Sequence, residues 1–252
     1  MAKDDAFGTS LTIGQQQVET AVVVGTITGS GNATFTTTKA GMTGSPLATS
    51  VAVLNGDSPT AVATKAAAAL NLVANFSAVL TAYAEGPNVV VYVKTAAAND
   101  ATMNLAYTNG TCTGLTPDAT SNDTLAGIAP AAIAQVQAIT GPGLAADTED
   151  VTTHDSTGAF EELVVTVLRT GEVTLDIVYD PVADTHDATA TTGLAYALKN
   201  KLFRQFALTY TNTGATVWTF NGYVTGFEPS MPHDGALTAA VTVKVTNAPT
   251  LA

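Results

Sequence analysis

The chain has 252 residues, which is enough to bury one large core or the cores of two ordinary domains. Only 12% of the residues are charged and 46% are hydrophobic, so the composition favours a subunit covered by neighbours over a lone monomer. The net charge of −12 argues against an ordinary nucleic-acid-binding surface, and no apolar run has the length of a membrane span.

The first predicted domain is interrupted. Residues 7–14 would continue naturally into residues 128–139, as if everything between them had been inserted into a turn. The sequence therefore predicts a discontinuous domain formed by residues 1–14 and 128–252. Residues 15–127 are then an inserted accessory domain.

The insert is predicted to be a small α+β domain with one sheet and one helix. Ser58 is a suitable N-cap and Pro59 a suitable first residue for a helix over residues 60–75. Covering one face of the sheet is the expected role of this helix, in preference to binding a partner. Strand signals occur at residues 22–27, 33–37, 50–54, 79–84, 88–95 and 105–111.

The rest of the chain is predicted to be mainly β, an antiparallel β-sandwich or partly closed barrel with one flanking helix. In the strand over residues 172–180, Val173 and Leu175 alternate with Glu172 and Asp176, which predicts one core face and one acidic face. Strands are predicted at residues 162–168, 172–180, 204–210, 217–227 and 236–245, and the helix at residues 191–202.

The aromatic residues and the strand edges of this domain have different expected environments. Trp218 and Phe220 are expected in the core, and Tyr210 or Tyr223 is expected to share that role. Long apolar strands with few lysines favour pairing between free strand edges. The sequence therefore predicts a closed assembly of identical subunits.

Three consecutive residues have the side chains of a hydrolase triad, but they do not predict one. His154, Asp155 and Ser156 lie in an extended segment, where adjacent side chains project alternately and cannot form the relay. His154, His186 and His233 each precede an Asp, and turn or surface positions are expected for all three in preference to a metal site.

Other reactive side chains also lack the neighbours that chemistry needs. Cys112 is the single cysteine, so no intrachain disulfide is predicted, and no basic residue near it would activate the thiol. Glu161 and Glu162 would face opposite sides of a strand, which argues against joint acid–base work. No catalytic residue, cofactor or metal is therefore predicted, and the protein is not expected to be an enzyme.

Short motifs in residues 1–14 and 128–252 resemble those of a known family. They are Lys3-Asp4 with Phe7-Gly-Thr9, Gly141-Pro-Gly-Leu144, Asp147-x-x-Asp-Val-Thr-Thr-His-Asp-Ser156, Gly171-Glu-Val-Thr-Leu175 with Tyr179-Asp-Pro181, Trp218-Thr-Phe220, Tyr223-Val-Thr-Gly-Phe227 and Val241-Thr-Val-Lys-Val-Thr246. With them the chain resembles the tail tube (major tail) proteins of long, non-contractile-tailed bacteriophages, the siphophage type. The block at residues 150–156 is the most specific.

The insert resembles a separate Thr- and Ala-rich module that recurs in phage virion proteins. Its motifs are Gly25-Thr-Ile-Thr-Gly-Ser-Gly-Asn-Ala33 and Lys94-Thr-Ala-Ala-Ala-Asn-Asp-Ala101. This module departs from the compact tail tube pattern, and the resemblance assigns it no role.

The tail tube resemblance implies a β-sandwich subunit that self-assembles into hexameric rings. The rings stack into a tube through which the double-stranded DNA genome passes without sticking, and other tail proteins bind the ends of the tube. It also implies a virion location, in the phage tail. The opening residues lack the apolar region of a signal peptide, so synthesis in the host cytoplasm is expected.

The resemblance and the charge pattern together nominate three groups of contact residues. Glu172 and Asp176 are candidates for an acidic lumen, because a negative wall repels DNA phosphates. The N-terminal arm with Lys3, Asp4 and Phe7 is expected to contact other subunits. The loop over residues 151–162 is expected to reach the adjacent ring, with the candidates Val151, Thr152, Thr153, His154, Asp155, Ser156, Phe160, Glu161 and Glu162.

A second function remains open for the insert. Displayed outside a scaffold, it would act as a surface-binding or decoration module that attaches to host glycans or proteins. Few exposed aromatic residues can be identified in the insert, because Tyr83, Tyr92 and Tyr107 are better explained as strand residues.

Overall fold

The computed structural model describes residues 8–155, 158, 160–212 and 214–252. The chain forms two compact units, one of Met1–Ile13 with Ala131–Ala252 and the other of Gly14–Pro130. Both are built mainly from β-strands, which confirms the predicted mainly β fold.

The first unit is organised around a sheet that curls into half a barrel. In spatial order the seven strands of this sheet are β10 (Val136–Thr140), β13 (Glu172–Val178), β16 (Thr238–Leu251), β15 (Val217–Ser230), β14 (Phe203–Thr209), β1 (Ser10–Gln15) and β9 (Ile128–Ala132). Two further strands, β11 (Leu144–Asp150) and β12 (Leu163–Thr170), form a separate antiparallel pair. One short helix, α3 (Leu194–Lys199), packs against β15.

The core of this unit lies on one face of the curled sheet. The predicted alternation of β13 is confirmed, because Val173 and Leu175 are buried while Glu172 and Asp176 are exposed. Strand β16 pairs with β13 in antiparallel register and alternates in the same way. Each fully buried Val, Leu or Phe side chain contributes about 1.5–3 kcal/mol, so this shared face holds the sheet together.

Aromatic packing supports the same core. Phe206 and Phe220 stack across β14 and β15 with ring centroids 5.5 Å apart. Trp218 and Tyr210 are partly buried against the core, as expected. Tyr223, the other candidate for that role, is 43% exposed, because its strand position points to the opposite face of the sheet.

Helix α3 is shorter than the predicted helix over residues 191–202. It begins after Gly193, where a Cβ would lie 2.0 Å from the carbonyl oxygen of Asp187, so the chain folds back too closely there for a helix. It ends before Lys201, whose φ of 54° is left-handed. Tertiary contacts, and not the leucine spacing, therefore set the bounds of this helix.

The second unit has two sheets and a main helix, so the prediction of one sheet was wrong. The four-stranded sheet contains, in spatial order, β5 (Leu80–Glu85), β6 (Asn88–Val93), β2 (Val18–Val22) and β8 (Asn122–Leu125). The three-stranded sheet contains β4 (Leu47–Val53), β3 (Gly31–Thr38) and β7 (Asn104–Thr108). Helix α1 (Pro59–Leu72) and the one-turn helix α2 (Ala74–Ser77) complete the unit. Both sheets contribute to one apolar core, and the strand predicted over residues 22–27 lies instead at β2.

Helix α1 begins as predicted and ends earlier. The Ser58 hydroxyl accepts a hydrogen bond from the Ala61 N–H at 3.3 Å, and Pro59 takes the first helical position. At the other end, Val73 has extended backbone angles, which stops the helix short of residue 75. The buried stripe of α1 includes Val62, Ala66 and Leu70.

The second unit closes most of its own sheet edges. The Asn71 side chain of α1 donates to the Ala82 carbonyl at 2.7 Å and accepts from the Ala82 N–H at 2.9 Å, so it replaces a missing strand beside β5. Along β7, Tyr107 and Asp118 exchange both backbone hydrogen bonds. Helix α1 also packs on β4, and β8 has only four residues. These features oppose pairing with another chain.

One carboxylate of the second unit is buried. Glu19 is 3% exposed, and its side chain accepts hydrogen bonds from the Ser121 hydroxyl at 2.7 Å and the Gln17 amide at 3.2 Å. Burial raises the pKa of Glu19, the two hydrogen bonds oppose that shift, and the nearby charges of Asp123 and Asp100 add to it. The folded unit therefore retains a proton on Glu19 at a pH where the unfolded chain has released it.

Removing the Asn71 side chain should destabilise the second unit. Asn71→Ala leaves the Ala82 N–H and carbonyl without their partners, and we expect it to lower the free energy of unfolding by about 1–3 kcal/mol. Leu72→Ala is the matched control, because its side chain is 87% exposed and its removal should change stability by less than about 0.5 kcal/mol. Urea unfolding of both variants measures the difference, and equal stabilities would contradict the proposed role of Asn71.

The buried carboxylate predicts a specific pH dependence. Because the folded pKa of Glu19 lies above its ordinary value of 4.5, the free energy of unfolding should fall as pH rises from that value through the raised pKa. Glu19→Gln removes the titration, so the variant should lack this part of the fall. Thermal unfolding across a pH series, with the exposed-site variant Glu85→Gln as control, measures it. Parallel stability curves for wild type and Glu19→Gln would disprove the assignment.

Candidate assembly interface

The most exposed apolar element of the first unit is the antiparallel ribbon formed by β11 and β12. Every residue of β12 before Thr170 is exposed, including Val165 at 60% and Leu168 at 80%. The ribbon is tied to the curled sheet near its base, where the Thr170 hydroxyl donates to the Val245 carbonyl at 3.3 Å. The exposed large apolar side chains of the ribbon are Leu144, Leu163, Val164, Val165, Val167 and Leu168.

Such a ribbon is poorly stabilised by itself. A two-stranded hairpin in water is marginal, because it lacks a third strand or a helix to bury its side chains. Here, the apolar residues of β12 are exposed on both faces, so neither side is covered within the described part of the chain. A contiguous apolar surface of this kind is typical of a protein–protein interface.

A turn containing glycine directs the chain from β10 into the ribbon. Gly141 has a φ of 100°, and a Cβ at this position would lie 2.4 Å from the Glu172 carbonyl oxygen. Only glycine fits both conditions. The Gly141-Pro-Gly-Leu144 motif therefore sets the point at which β11 leaves the sheet.

Polar contacts fix the register of the ribbon. Arg169 donates to Asp147 at 2.7 Å across the two strands, and both side chains stay largely exposed. This hydrogen bond and the positive charge of Arg169 lower the pKa of Asp147. The pair uses the charges of Arg169 and Asp147, while Glu149 and Asp150 remain as exposed acidic residues of β11 beside the apolar residues of β12.

The loop over residues 151–162 connects the distal ends of β11 and β12. Backbone bonding continues for one step past the strands, since the Val151 N–H donates to the Glu162 carbonyl at 2.8 Å. Thr152 ties the base further, because its hydroxyl accepts from the Glu162 N–H at 2.9 Å. The loop thus extends the ribbon from a structured base.

The predicted loop residues are placed as follows. The described candidates are all exposed, with Phe160 at 77%. Ser156 lies outside the described residues, and so do Lys3, Asp4 and Phe7 of the N-terminal arm. The exposed loop candidates are Val151, Thr152, Thr153, His154, Asp155, Phe160, Glu161 and Glu162.

A recurring turn occurs at the base of this loop and was missed in the sequence. The Asp150 carboxylate accepts from both the N–H and the hydroxyl of Thr152, and these bonds lower the pKa of Asp150. The signal is the spacing Asp-x-Thr, which gives the same turn at four places among the described residues. These are Asp100 with Thr102, Asp118 with Thr120, Asp150 with Thr152 and Asp187 with Thr189.

The acidic face of the curled sheet is larger than predicted and is partly neutralised. Glu228 on β15 lies with Asp176 around a shallow depression on this face. Lys244 on β16 donates to Glu172 at 3.1 Å on the same face. Glu228 was missed because the predicted strand stopped at residue 227, and Lys244 because its partner is set by strand register.

The histidines do not form a site. His186 lies in a turn, as expected, but it is fully buried and not at the surface. Its Nδ1 accepts from the Asp180 N–H at 3.2 Å, and its Nε2 lies 2.8 Å from the Ala134 carbonyl oxygen. These contacts fix the orientation of the ring, which joins two loops. His154 and His233 are exposed, as expected.

In residues 8–155, 158, 160–212 and 214–252, no group of three or more His, Cys, Asp or Glu side chains is arranged to hold a metal ion. Within the same residues, every helix falls short of the length and apolar character needed to cross a membrane.

Three solved structures are similar to about half of this chain. A chain in the virion of a native gene transfer agent particle is 18% identical with a TM-score of 0.41, and the likeness covers 49% of this chain and 88% of that one. A chain in the tail of an empty gene transfer agent particle, refined with C6 symmetry, has the same identity and TM-score and is covered to 86%. A chain of the anti-feeding prophage baseplate is 9% identical with a TM-score of 0.38, and 49% and 83% of the two chains are covered.

Sequence comparison gives a more direct result. No curated protein matches the chain. The family model described as lambda phage tail tube protein matches residues 116–252, which include the ribbon, the loop and the acidic face. Because this match covers more than half of the chain, the chain belongs to the lambda phage tail tube protein family, whose role is structural and not enzymatic.

Proposed function

We propose that copies of this chain assemble into hexameric rings that stack into the phage tail tube, and that the genome passes through the tube as double-stranded DNA. The single observation that carries the proposal is the exposed ribbon of β11 and β12. In a stacked tube its apolar side chains are covered by a neighbouring copy, which removes them from water. Family membership supports the same arrangement.

The ribbon and its loop are suited to contact between rings. The loop over residues 151–162 extends beyond the paired strands and presents Phe160, which is 77% exposed. A large exposed aromatic side chain is a typical anchor for a pocket on a partner. The N-terminal arm with Lys3, Asp4 and Phe7 is proposed as a second contact between subunits.

Contact within a ring is proposed at the outer strands of the curled sheet. Strands β10 and β9 are the two ends of the seven-stranded sheet, so their outward backbone groups are available for pairing. Pro130 interrupts the donors of β9, whereas β10 has no proline. Strand β10 is therefore the better edge for pairing between identical copies.

The acidic face is proposed to line the lumen. Glu172, Asp176 and Glu228 outnumber Lys244 on this face, and the lysine is already paired. A wall with excess negative charge repels DNA phosphates, so the duplex slides and does not bind. Because Lys244 pairs with Glu172, the negative charge of the lining would come mainly from Asp176 and Glu228.

The two parts of the chain are proposed to have separate roles. Residues 1–14 and 128–252 form the tube domain, and residues 15–127 form an accessory domain whose sealed sheet edges keep it out of the polymer. Other tail proteins would bind the tube ends. The subunit would be made in the host cytoplasm and act in the virion tail.

A charge on the ribbon should block assembly. Leu168→Asp places a carboxylate on the surface that a neighbour covers, and burying an unpaired charge there costs several kcal/mol, so the concentration needed for assembly should rise about a hundredfold or more. Leu72→Asp, on an exposed position of the accessory domain, should leave assembly unchanged. Negative-stain imaging and sedimentation velocity compare the two. Normal tubes from Leu168→Asp would refute the ribbon as an interface.

Reversing the lumen charge should make the tube bind DNA. Asp176→Lys with Glu228→Lys turns the proposed wall positive, and tubes of this double variant should retain a short DNA duplex that wild-type tubes leave in solution. The retention should weaken as salt rises. Asp118→Lys with Asp123→Lys in the accessory domain is the control of equal charge. Equal DNA co-sedimentation for both double variants would argue against a lumen at this face.

A further inference from the structure

The outer face of the four-stranded sheet in the second unit has an unusual aromatic pair. Tyr83 on β5 and Tyr92 on β6 lie on the side of the sheet away from the core, with ring centroids 6.3 Å apart and planes inclined by 57°. Tyr83 is 47% exposed and Tyr92 is half-buried. Val90 pairs with Tyr83 across the two strands and lies on the same face, where its side chain is only 5% exposed.

The pair is distinct from the other aromatic residues of this unit, all of which the structure describes. Phe35, Phe76 and Tyr107 are at most 1% exposed. The Tyr107 hydroxyl donates to the Val22 carbonyl at 2.9 Å and accepts from the Val24 N–H, so its role is structural. Tyr83 and Tyr92 therefore form the aromatic surface that the unit presents to solvent.

Polar groups surround the two rings. Thr81 lies opposite Tyr92 on the neighbouring strand, and Thr20 continues the same face on β2, where its hydroxyl accepts from the Thr124 hydroxyl at 2.7 Å. An aromatic platform with hydroxyl groups around it matches a sugar ring. The C–H groups of one sugar face pack on the electron-rich ring faces, and the sugar hydroxyls bond to the surrounding side chains.

Charge selects among possible partners. Glu85 lies close enough to Tyr83 to contribute to raising the pKa of its phenol, after the larger effect of burial. The three lysines of this unit are engaged elsewhere: Lys65 with Asp57, Lys39 with the Ala40 carbonyl and Lys94 with the Ser77 carbonyl. Lys94, two residues beyond Tyr92, directs its ammonium group to the Ser77 carbonyl, and Glu85 adds a negative charge near Tyr83, so the platform does not favour a phosphate, sulfate or sugar acid. Its charge suits a neutral ligand.

We infer that the Tyr83–Tyr92 platform binds neutral polysaccharide. It would give the accessory domain a role in holding the particle at a cell surface. Two rings give weak affinity for one chain. Repetition around and along a tube would raise the effective affinity by avidity, and both this gain and the role on the particle rest on the proposed function, whereas the binding itself does not.

Binding of the full-length chain to immobilised polysaccharides tests the inference. Dextran, galactomannan and mixed-linkage β-glucan are the neutral probes, and hyaluronate and dextran sulfate are the anionic ones. We expect binding to at least one neutral probe and none to the anionic probes. Tyr83→Ala and Tyr92→Ala should each weaken the binding about tenfold through loss of ring contact.

Conservative variants separate ring contact from folding. Tyr83→Phe and Tyr92→Phe keep both rings and should retain binding within about threefold, which is under 1 kcal/mol. Leu72→Ala, an exposed apolar residue on α1, is the matched control and should bind as wild type. Circular dichroism confirms that each variant is folded.

Several results would overturn the inference. Failure to bind any neutral probe, unchanged binding by both alanine variants, or tighter binding to the anionic probes would each do so. Self-association that the alanine variants abolish, without polysaccharide binding, would assign the platform to a second copy. Tube formation is imaged in a separate experiment. A chain that binds polysaccharide but forms no tubes would therefore contradict the proposed function and leave the polysaccharide inference standing.

Discussion

The structure depends on how each β-strand satisfies its edges and its apolar side chains. In the second unit this happens within the chain: the Asn71 amide stands in for a strand beside β5, and residues near Asp118 pair with β7. In the first unit the apolar side chains of the ribbon formed by β11 and β12 are exposed to solvent. This contrast separates a part of the molecule that is complete from a part that needs a partner.

The sequence predicted β13 and β16 because they alternate, and it predicted β12 from a run of β-branched residues although no residue of that strand is buried. Strands β13 and β16 share the core through Val173 and Val243, and their pattern is unambiguous. Strand β11 has no buried residue, so nothing in its composition reveals it. Sheet membership was also beyond reach, since alternation cannot tell whether two strands lie in one sheet or in two that share a core.

The sequence also predicted only part of the candidate interface. Alternation was enough to put Glu172 and Asp176 on one face, but finding Lys244 beside Glu172 requires the register between strands. His186 looked like a turn residue because of the Asp that follows it. In the buried position its Nε2 contacts the carbonyl oxygen of Ala134, which is distant in the sequence, and no local pattern predicts that contact. The Asp-x-Thr turns were visible as a spacing and were overlooked.

The position of β1 and β9 has a consequence for how such proteins diversify. These strands flank the second unit in the chain and are neighbours in the curled sheet, so the two crossing points stand roughly 5 Å apart. Any foreign domain whose own termini are equally close would fit there without disturbing the barrel. The position is thus suited to the exchange of one inserted domain for another.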